Sequence, residues 1–447
     1  MSFRVSLFTL NNNTMSSYII QGGKQLSGIL AVKGAKNAAL PILAACLLST
    51  EEFVLDNVPH IEDVNRILEI LESLGVKYRW LGQNSLWVKG CVPNLATLNK
   101  NALSAMRASI LLFGAFTALK TSFSLPKPGG CEIGSRSIET HLDGLRQLGV
   151  KITKKGADYL FQRPVVLKGK EITLNEFSVT ATENILLASV LSSGKTIIEC
   201  SATDPFVQDL AWFLNAMGAK ISGVGTNTLT VTGVKKLHGV KKYSIIPDPV
   251  EAGTFIILAA VTKSHLTIAN VAPQFMRSEL AKFTEANVPF KIKNIRAGQG
   301  KNYQLADLEI LPTKEVRAIK KVHNMPYPGF SADLLPVFTV LMTQAKGNSL
   351  IHDWMYEGRL RYVQEIMKMG AEIITCDPHR IIVSGPVKLV GKEITSFDLR
   401  AGATLIVAAL SAHGKSIIRN SYQVERGYEN LVERLSAVGV SIKRVED

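Results

Sequence analysis

Apolar residues along this 447-residue chain fall into two alternating kinds of block. The first is a run of small and apolar residues with almost no polar face. It occurs at Lys36–Leu48, Met106–Leu119, Ala181–Leu191, Val250–Val261, Ala332–Met342 and Arg400–Leu410. Such runs predict helices buried on every side. Each is followed by a β-like stretch: Phe53–Val58, Ser122–Leu125, Thr196–Cys200, Leu266–Val271, Ser349–His352 and Ser416–Arg419. The second block is an amphipathic helix pattern that stops at Gly75, Gly149, Gly218, Gly370 or Gly439, with Asn287 in a degenerate sixth copy. Gly and Asn tolerate the positive φ that ends a helix. These stops lie about 70 residues apart, with one wider gap before Gly370. Each unit therefore reads as buried helix, strand, amphipathic helix, strand, and six copies group as three plus three.

Composition narrows the picture. Hydrophobic residues make up 46% and charged residues 20%, as in a soluble globular protein of two or three domains. The net charge of +14 points to acidic partners. Aromatics are few and do not interleave with basic runs, which argues against a nucleic-acid stacking surface. The 5 cysteines are widely spaced without CxxC, so a reducing compartment and a cytoplasmic location are expected. No HExxH or Cys/His ligand spacing calls for a metal. Ala38–Leu48 is too short to span a bilayer. Residues 1–17 read as a disordered leader, with Met15 a candidate start. Ser192–Thr196 and His413–Ser416 imitate part of a phosphate loop. They lack its first glycine and run helix-to-strand, so they are repeat turns.

Candidate chemistry sits at the heads of the repeats. Buried apolar helices are expected to start with neutral caps, yet Lys36-Asn37, Arg107, Asp333 and Asp398-Leu399-Arg400 stand at or beside such openings. Arg136, Arg359 and Arg426 follow the strands of the second, fifth and sixth units. Equivalent positions of an array face equivalent places, so Lys36, Arg107, Arg136, Arg359, Arg400 and Arg426 predict one cleft with a focused positive field. Guanidinium forks suit carboxylate and phosphate oxygens. Asp333 follows the stiff Pro326-Tyr327-Pro328 segment and is either a counter-ion or a base for a hydroxyl. The stretch Pro126–His141 packs glycines, Cys131, Arg136 and His141 into one loop suited to approach a ligand.

The segments Gly34–Pro41, Met106–Ile110, Pro128–Arg136, Asp398–Leu410 and Glu425–Tyr428 together resemble the UDP-N-acetylglucosamine 1-carboxyvinyltransferases, a family of enolpyruvyl transferases. The likeness runs from about Tyr18 to Val445. It implies a two-domain inside-out α/β barrel built from six βαβαββ repeats. One domain would span 36–245 and the other 18–35 plus 246–447, the chain crossing twice. It implies transfer of the enolpyruvyl group of phosphoenolpyruvate to the 3-hydroxyl of UDP-N-acetylglucosamine, without a cofactor, metal, nucleic acid or membrane partner. Lys36, Asn37, Arg136 and Arg426 would bind phosphoenolpyruvate. Arg107, His141, Ser178, Val179, Asp333 and Met355 would contact the sugar nucleotide. Cys131 would protonate or capture the enolpyruvyl group and be alkylated by fosfomycin. Asp333 would take the hydroxyl proton, with Lys36, Asp398 and Arg400 in the catalytic set and Arg359 as a further functional residue. The chain departs from the family pattern at Leu111, Ser137, Glu176, Thr180, Phe206 and Gly358. None of these removes a group the transfer needs.

Overall fold

The computed structural model describes residues 16–129 and 137–446. Cys131, Arg136 and residues 1–15 of the expected leader lie outside the described residues, whereas Ser16 and Ser17, counted in that leader, are buried at the start of the strand Ser16–Gly22. The expected buried helices form at Lys36–Ala45, Leu111–Leu119, Val179–Ser189, Pro249–Val261, Leu335–Thr343 and Leu399–Ser411. Their burial matches their sequence: every residue from Val250 to Val261 and from Leu399 to Leu410 is buried. The fifth begins three residues later than its apolar pattern predicts. Pro336 explains the difference, because a proline belongs in the first helical turn, where its missing N–H costs nothing. Asp333 consequently stands on the turn before the helix.

Among the described residues six sheets lie around these helices, and the amphipathic helices bridge their strands. Each amphipathic helix ends on a positive φ, 63° at Asn287 and 97–103° at the five glycines. These are the left-handed stops the repeat pattern predicts. In each sheet the strand after the buried helix pairs antiparallel with an inner strand, as Glu52–Asp56 does with Leu86–Lys89, and in the three-stranded sheet that strand, Ser122–Pro126, lies at the edge. In five of the sheets it also takes a short parallel partner, a strand the sequence pattern did not reveal. The strands alternate inward and outward, so Thr196 and Ile198 face the helices while Lys195 and Glu199 face water. Helices are inside and sheets outside, three units around each of two cores.

One core runs from Ala35 to Ile246, with Ala272, Phe275 and Tyr303 packed in from later sequence. The other joins Tyr18–Val32 to Ala252–Ile442. Strand exchange links them to chain order. Ser27–Ala31 precedes the first buried helix but pairs with His265–Val271 in the second half. Val240–Ser244 supplies the matching parallel strand to Glu52–Asp56. Ser16–Gly22 lies between Gly414–Arg419 and Ser441–Glu446 and closes the last sheet. The chain therefore passes between the cores twice, and the two passages run side by side. Ala35 N–H donates to Ile246 O at 2.8 Å and Asp248 N–H to Lys33 O at 2.8 Å. Gly34 is required there: a Cβ would lie 1.7 Å from Asn57 O.

Candidate active site

The packing brings the N-terminal ends of all six buried helices to one cavity of about 600 Å³ between the two cores. Lys36-Asn37, Arg107-Ala108, Ser178-Val179, Pro249-Val250, Asp333-Leu334 and Asp398-Leu399-Arg400 line it from successive helix openings. Unsatisfied N–H groups and the positive ends of helix dipoles make such openings favourable for anions. His141, Met355, Arg359 and Arg426 complete the set, so every described candidate residue lies in this one wall.

Two carboxylates in the wall are each gripped by two cations. Asp333 accepts from Arg359 Nη2 at 2.7 Å through one oxygen and from Arg400 Nη2 at 2.8 Å through the other. Burial alone would raise its pKa, but Arg400 and Arg359 outweigh it and leave the carboxylate far below its usual range. The guanidiniums are themselves buried, with side chains 3% and 8% exposed. Arg359 also lies over the Tyr356 ring, 4.4 Å from its centroid. The second pair of grips joins the halves of the molecule. Asp63, at the start of the helix Glu62–Ser73, meets Lys36 Nζ at 3.0 Å and Arg426 Nε at 3.1 Å. Burial opposes its ionisation, yet the Lys36 and Arg426 charges prevail and its pKa is lowered.

The remaining residues are held by structure more than by charge. Asp398 caps the helix Leu399–Ser411, accepting from Arg400 N at 2.7 Å and Ala401 N at 3.0 Å. Its carboxylate thereby fixes the opening from which Arg400 projects. Ser178 caps the helix Val179–Ser189 through Ala181 N at 3.4 Å. Arg107 donates to Ser137 O at 3.1 Å. His141 is 3% exposed, between Asn184 Nδ2 at 2.8 Å and Thr180 Oγ1 at 3.2 Å. Asn184 Oδ1 accepts from Gly114 N at 2.6 Å, so its amide nitrogen must face the ring. Nδ1 of His141 is then an acceptor and Nε2–H donates to Thr180. Burial first, and Arg107 second, push His141 down to about 3.

A third group of carboxyls has no cation beside it among the described residues. Glu183 is fully buried, its Oε1 without a partner, and burial with Asp204 nearby raises its pKa well above the usual value. Burial likewise pushes Asp204 up to about 6 and Glu279 up to about 7. All three line the cavity. The sequence pattern did not single out Asp63, Glu183 or Glu279. Glu183 did leave a signal, as the one charged residue of a buried helix. Among the described residues no His/Cys/Asp/Glu group is arranged to hold a metal ion. No described helix is long and apolar enough to cross a membrane.

Comparisons with known proteins agree on one relationship. The family model described as EPSP synthase (3-phosphoshikimate 1-carboxyvinyltransferase) matches residues 20–435. The UDP-N-acetylglucosamine 1-carboxyvinyltransferase of Treponema denticola is 42% identical over 440 residues, covering 97% of this chain and 100% of its own. That of Bradyrhizobium diazoefficiens is 40% identical over 438 residues, covering 96% and 98%. Among solved structures, the enolpyruvyl transferase NikO of Streptomyces tendae superposes with a TM-score of 0.85 at 22% identity, covering 97% and 100%. The EPSP synthase of Acinetobacter baumannii gives 0.76 at 20% identity, again over 97% and 100%. The two solved structures bear on the fold alone.

Proposed function

The chain belongs to the UDP-N-acetylglucosamine 1-carboxyvinyltransferase family, and on that premise we propose how its cleft performs the reaction. It is a transferase that moves the enolpyruvyl group of phosphoenolpyruvate to the 3-hydroxyl of UDP-N-acetylglucosamine and releases phosphate, the first step of peptidoglycan precursor synthesis. The observation that best supports this reading is the convergence of six helix openings and of Lys36, Arg107, Arg359, Arg400 and Arg426 on one cavity. Both substrates are polyanions, and only a site with positive field on several sides holds two of them together. Each charge-assisted hydrogen bond contributes roughly 1.5–3 kcal/mol, so a few suffice for tight binding after ordering costs.

In this reading Lys36, Asn37 and Arg426, with Arg136, take the carboxylate and phosphate of phosphoenolpyruvate. Arg107, His141, Ser178, Val179 and Met355 meet the sugar nucleotide. Asp333 holds the sugar hydroxyl, while Arg400 and Arg359 fix Asp333 and Asp398 fixes Arg400. Cys131 delivers the proton to C3. A thiol of unperturbed pKa about 8.5 is mostly protonated near neutrality and suits that task. Positive charge around the leaving phosphate compensates the charge it gains. The halves 36–245 and 18–35 plus 246–447 act as two domains that close over the substrates, and the enzyme works in the cytoplasm.

The test is phosphate release by the purified chain. Release is expected only when phosphoenolpyruvate and UDP-N-acetylglucosamine are both present, and fosfomycin should abolish it. No release with the complete pair would refute the assignment.

A further inference from the structure

One carboxylate ties the two halves of the molecule together beside the cleft without entering it. Glu429 is 2% exposed and does not line the cavity. Arg426, earlier in the same segment, does line it. A buried carboxylate is costly to keep unless its partners are well placed. Those of Glu429 lie across the crossing between the cores. Its Oε2 accepts from His60 N at 2.8 Å and from Asn84 Nδ2 at 2.7 Å. Its Oε1 faces Lys33 Nζ at 3.4 Å. Asn84 is itself fixed, because Oδ1 accepts from Lys33 Nζ at 2.8 Å and Nδ2 also donates to Val58 O at 3.0 Å. Lysine can only donate, so the amide nitrogen must face Glu429.

Both ends of this tie are rigid. On the side of Glu429, Gly427 packs so closely that a Cβ would lie 2.5 Å from Leu399 Cδ2. The Tyr428 hydroxyl is 3.0 Å from Thr254 Oγ1. Arg434 Nη1 donates to Glu429 O at 3.1 Å and to Glu251 Oε1 at 2.7 Å. Its Nη2 donates to Glu251 Oε2 at 3.0 Å and to Ala31 O at 2.6 Å, which binds the segment to a passage between the cores. On the other side the His60 ring stacks on Trp80 with centroids 4.5 Å apart. His60 leads into the helix Glu62–Ser73, whose first turn carries Asp63. The same two segments therefore meet twice. Arg426 Nε donates to Asp63 Oδ1 at 3.1 Å on the cavity side, and Glu429 accepts from His60 N outside the cavity.

We propose that Glu429 is a positioning residue for phosphoenolpyruvate. Its carboxylate holds the Arg426 segment against the opposite half and so keeps that guanidinium where the anion binds. This rests on the transfer reading given above. An arriving carboxylate or phosphate competes with Asp63 for the Arg426 guanidinium, so the contact on the cavity side weakens as substrate binds. The Glu429 contacts lie off the cavity and keep their partners. They hold Arg426 in register while its charge turns to the substrate, and a cation ordered beforehand binds with less loss of freedom. Glu429 acts through Arg426 and touches no substrate.

The experiment measures phosphate release by Glu429→Ala, Glu429→Gln, Asn84→Ala and the Glu429→Ala/Asn84→Ala double variant, with each substrate varied in turn. Calorimetry follows UDP-N-acetylglucosamine binding, and urea transitions check that each variant is folded. Glu429→Ala should raise the KM for phosphoenolpyruvate about 5–50-fold, lower kcat less than about fivefold and bind UDP-N-acetylglucosamine within about threefold of wild type. Glu429→Gln keeps an oxygen for His60 N and Asn84 Nδ2, so it should recover most of that KM. Asn84→Ala should raise the same KM more than about threefold, and the double variant should match Glu429→Ala within about twofold, because both remove one tie. If Glu429→Ala does not fold, Asn84→Ala carries the test. The proposal is overturned if the KM for phosphoenolpyruvate rises less than about threefold in the folded variants, or if kcat falls with that KM unchanged. It is also overturned if both substrates weaken alike, if Glu429→Gln recovers nothing, or if the two single effects multiply in the double variant. Wild-type enzyme that releases no phosphate would instead refute the transfer reading itself.

Discussion

Replacing Asp63 with Asn removes one charge and keeps the shape, and its effect follows from the geometry. The carboxylate side chain is 7% exposed and lies 3.0 Å from Lys36 Nζ and 3.1 Å from Arg426 Nε. At an effective dielectric of about 20, each pair is worth about 5 kcal/mol of gross attraction. Desolvation of the three groups returns several kcal/mol of that. Burial would raise the Asp63 pKa, yet it is lowered, so attraction exceeds desolvation. Lys36 and Arg426 keep 15% and 17% of their side chains in water, which places the net effect below that of a sealed pair. The expected loss is about 2–4 kcal/mol, read as a shift of the urea transition. A lowered carboxylate pKa contributes stability that is present above its unfolded value and lost as pH falls through the folded one. The difference between variant and wild type should therefore be level from pH 5 to 8 and shrink only in acid. Phosphoenolpyruvate supplies negative charge to the same cations, so it should stabilise the variant more than the wild type. A loss under about 0.5 kcal/mol, or one erased by 0.5 M salt at roughly surface-pair strength, would show that the bridge between the halves carries no weight.

His141 should stay neutral wherever the enzyme works. Its ring signals in NMR should not titrate between pH 5 and 8, and its contribution to stability, complete above pH 6.5, should decline steadily as pH falls from there towards its value of about 3, because only the unfolded chain takes up the proton in that range. A titration near 6.5 would contradict the burial argument. Tyr243→Phe removes the hydroxyl that donates to Asp209 Oδ1 at 2.6 Å, leaving Ile246 N at 3.1 Å on the other oxygen. The expected cost is about 1–3 kcal/mol in a urea transition. Burial already pushes Asp209 up to about 7, against the Tyr243 and Ile246 bonds that lower it. A raised carboxyl pKa means stability lost as pH rises through it, and losing the tyrosine raises it further. The variant's deficit should be larger at pH 8 than at pH 6, and equal deficits would refute the coupling.

How much of this was legible in the sequence depended on whether a residue broke the local rule. The buried helices and their stops were legible because apolar runs and positive-φ residues have few other uses. Lys36, Arg107 and Arg400 were legible because charge at the head of an apolar helix has no packing role. Asp63 was hidden for the opposite reason: an acid in the first turn of an amphipathic helix complements the helix dipole and excites no suspicion. Asp204 was hidden in the same way, as a common capping residue before a proline. The exchanged strands Ser27–Ala31 and Val240–Ser244 could not be placed by pattern, because periodicity reports which face is buried and says nothing about which sheet a strand joins. The double crossing came with the family resemblance. Yet that exchange brings Lys36 and Asp63 of one half against Arg426 of the other. The cations announced the cleft, while the carboxylates that set their positions look ordinary until the halves are brought together. In a site built for anionic substrates, positive residues are the ones that sequence rules expose. The acids that tune them must be found by contact.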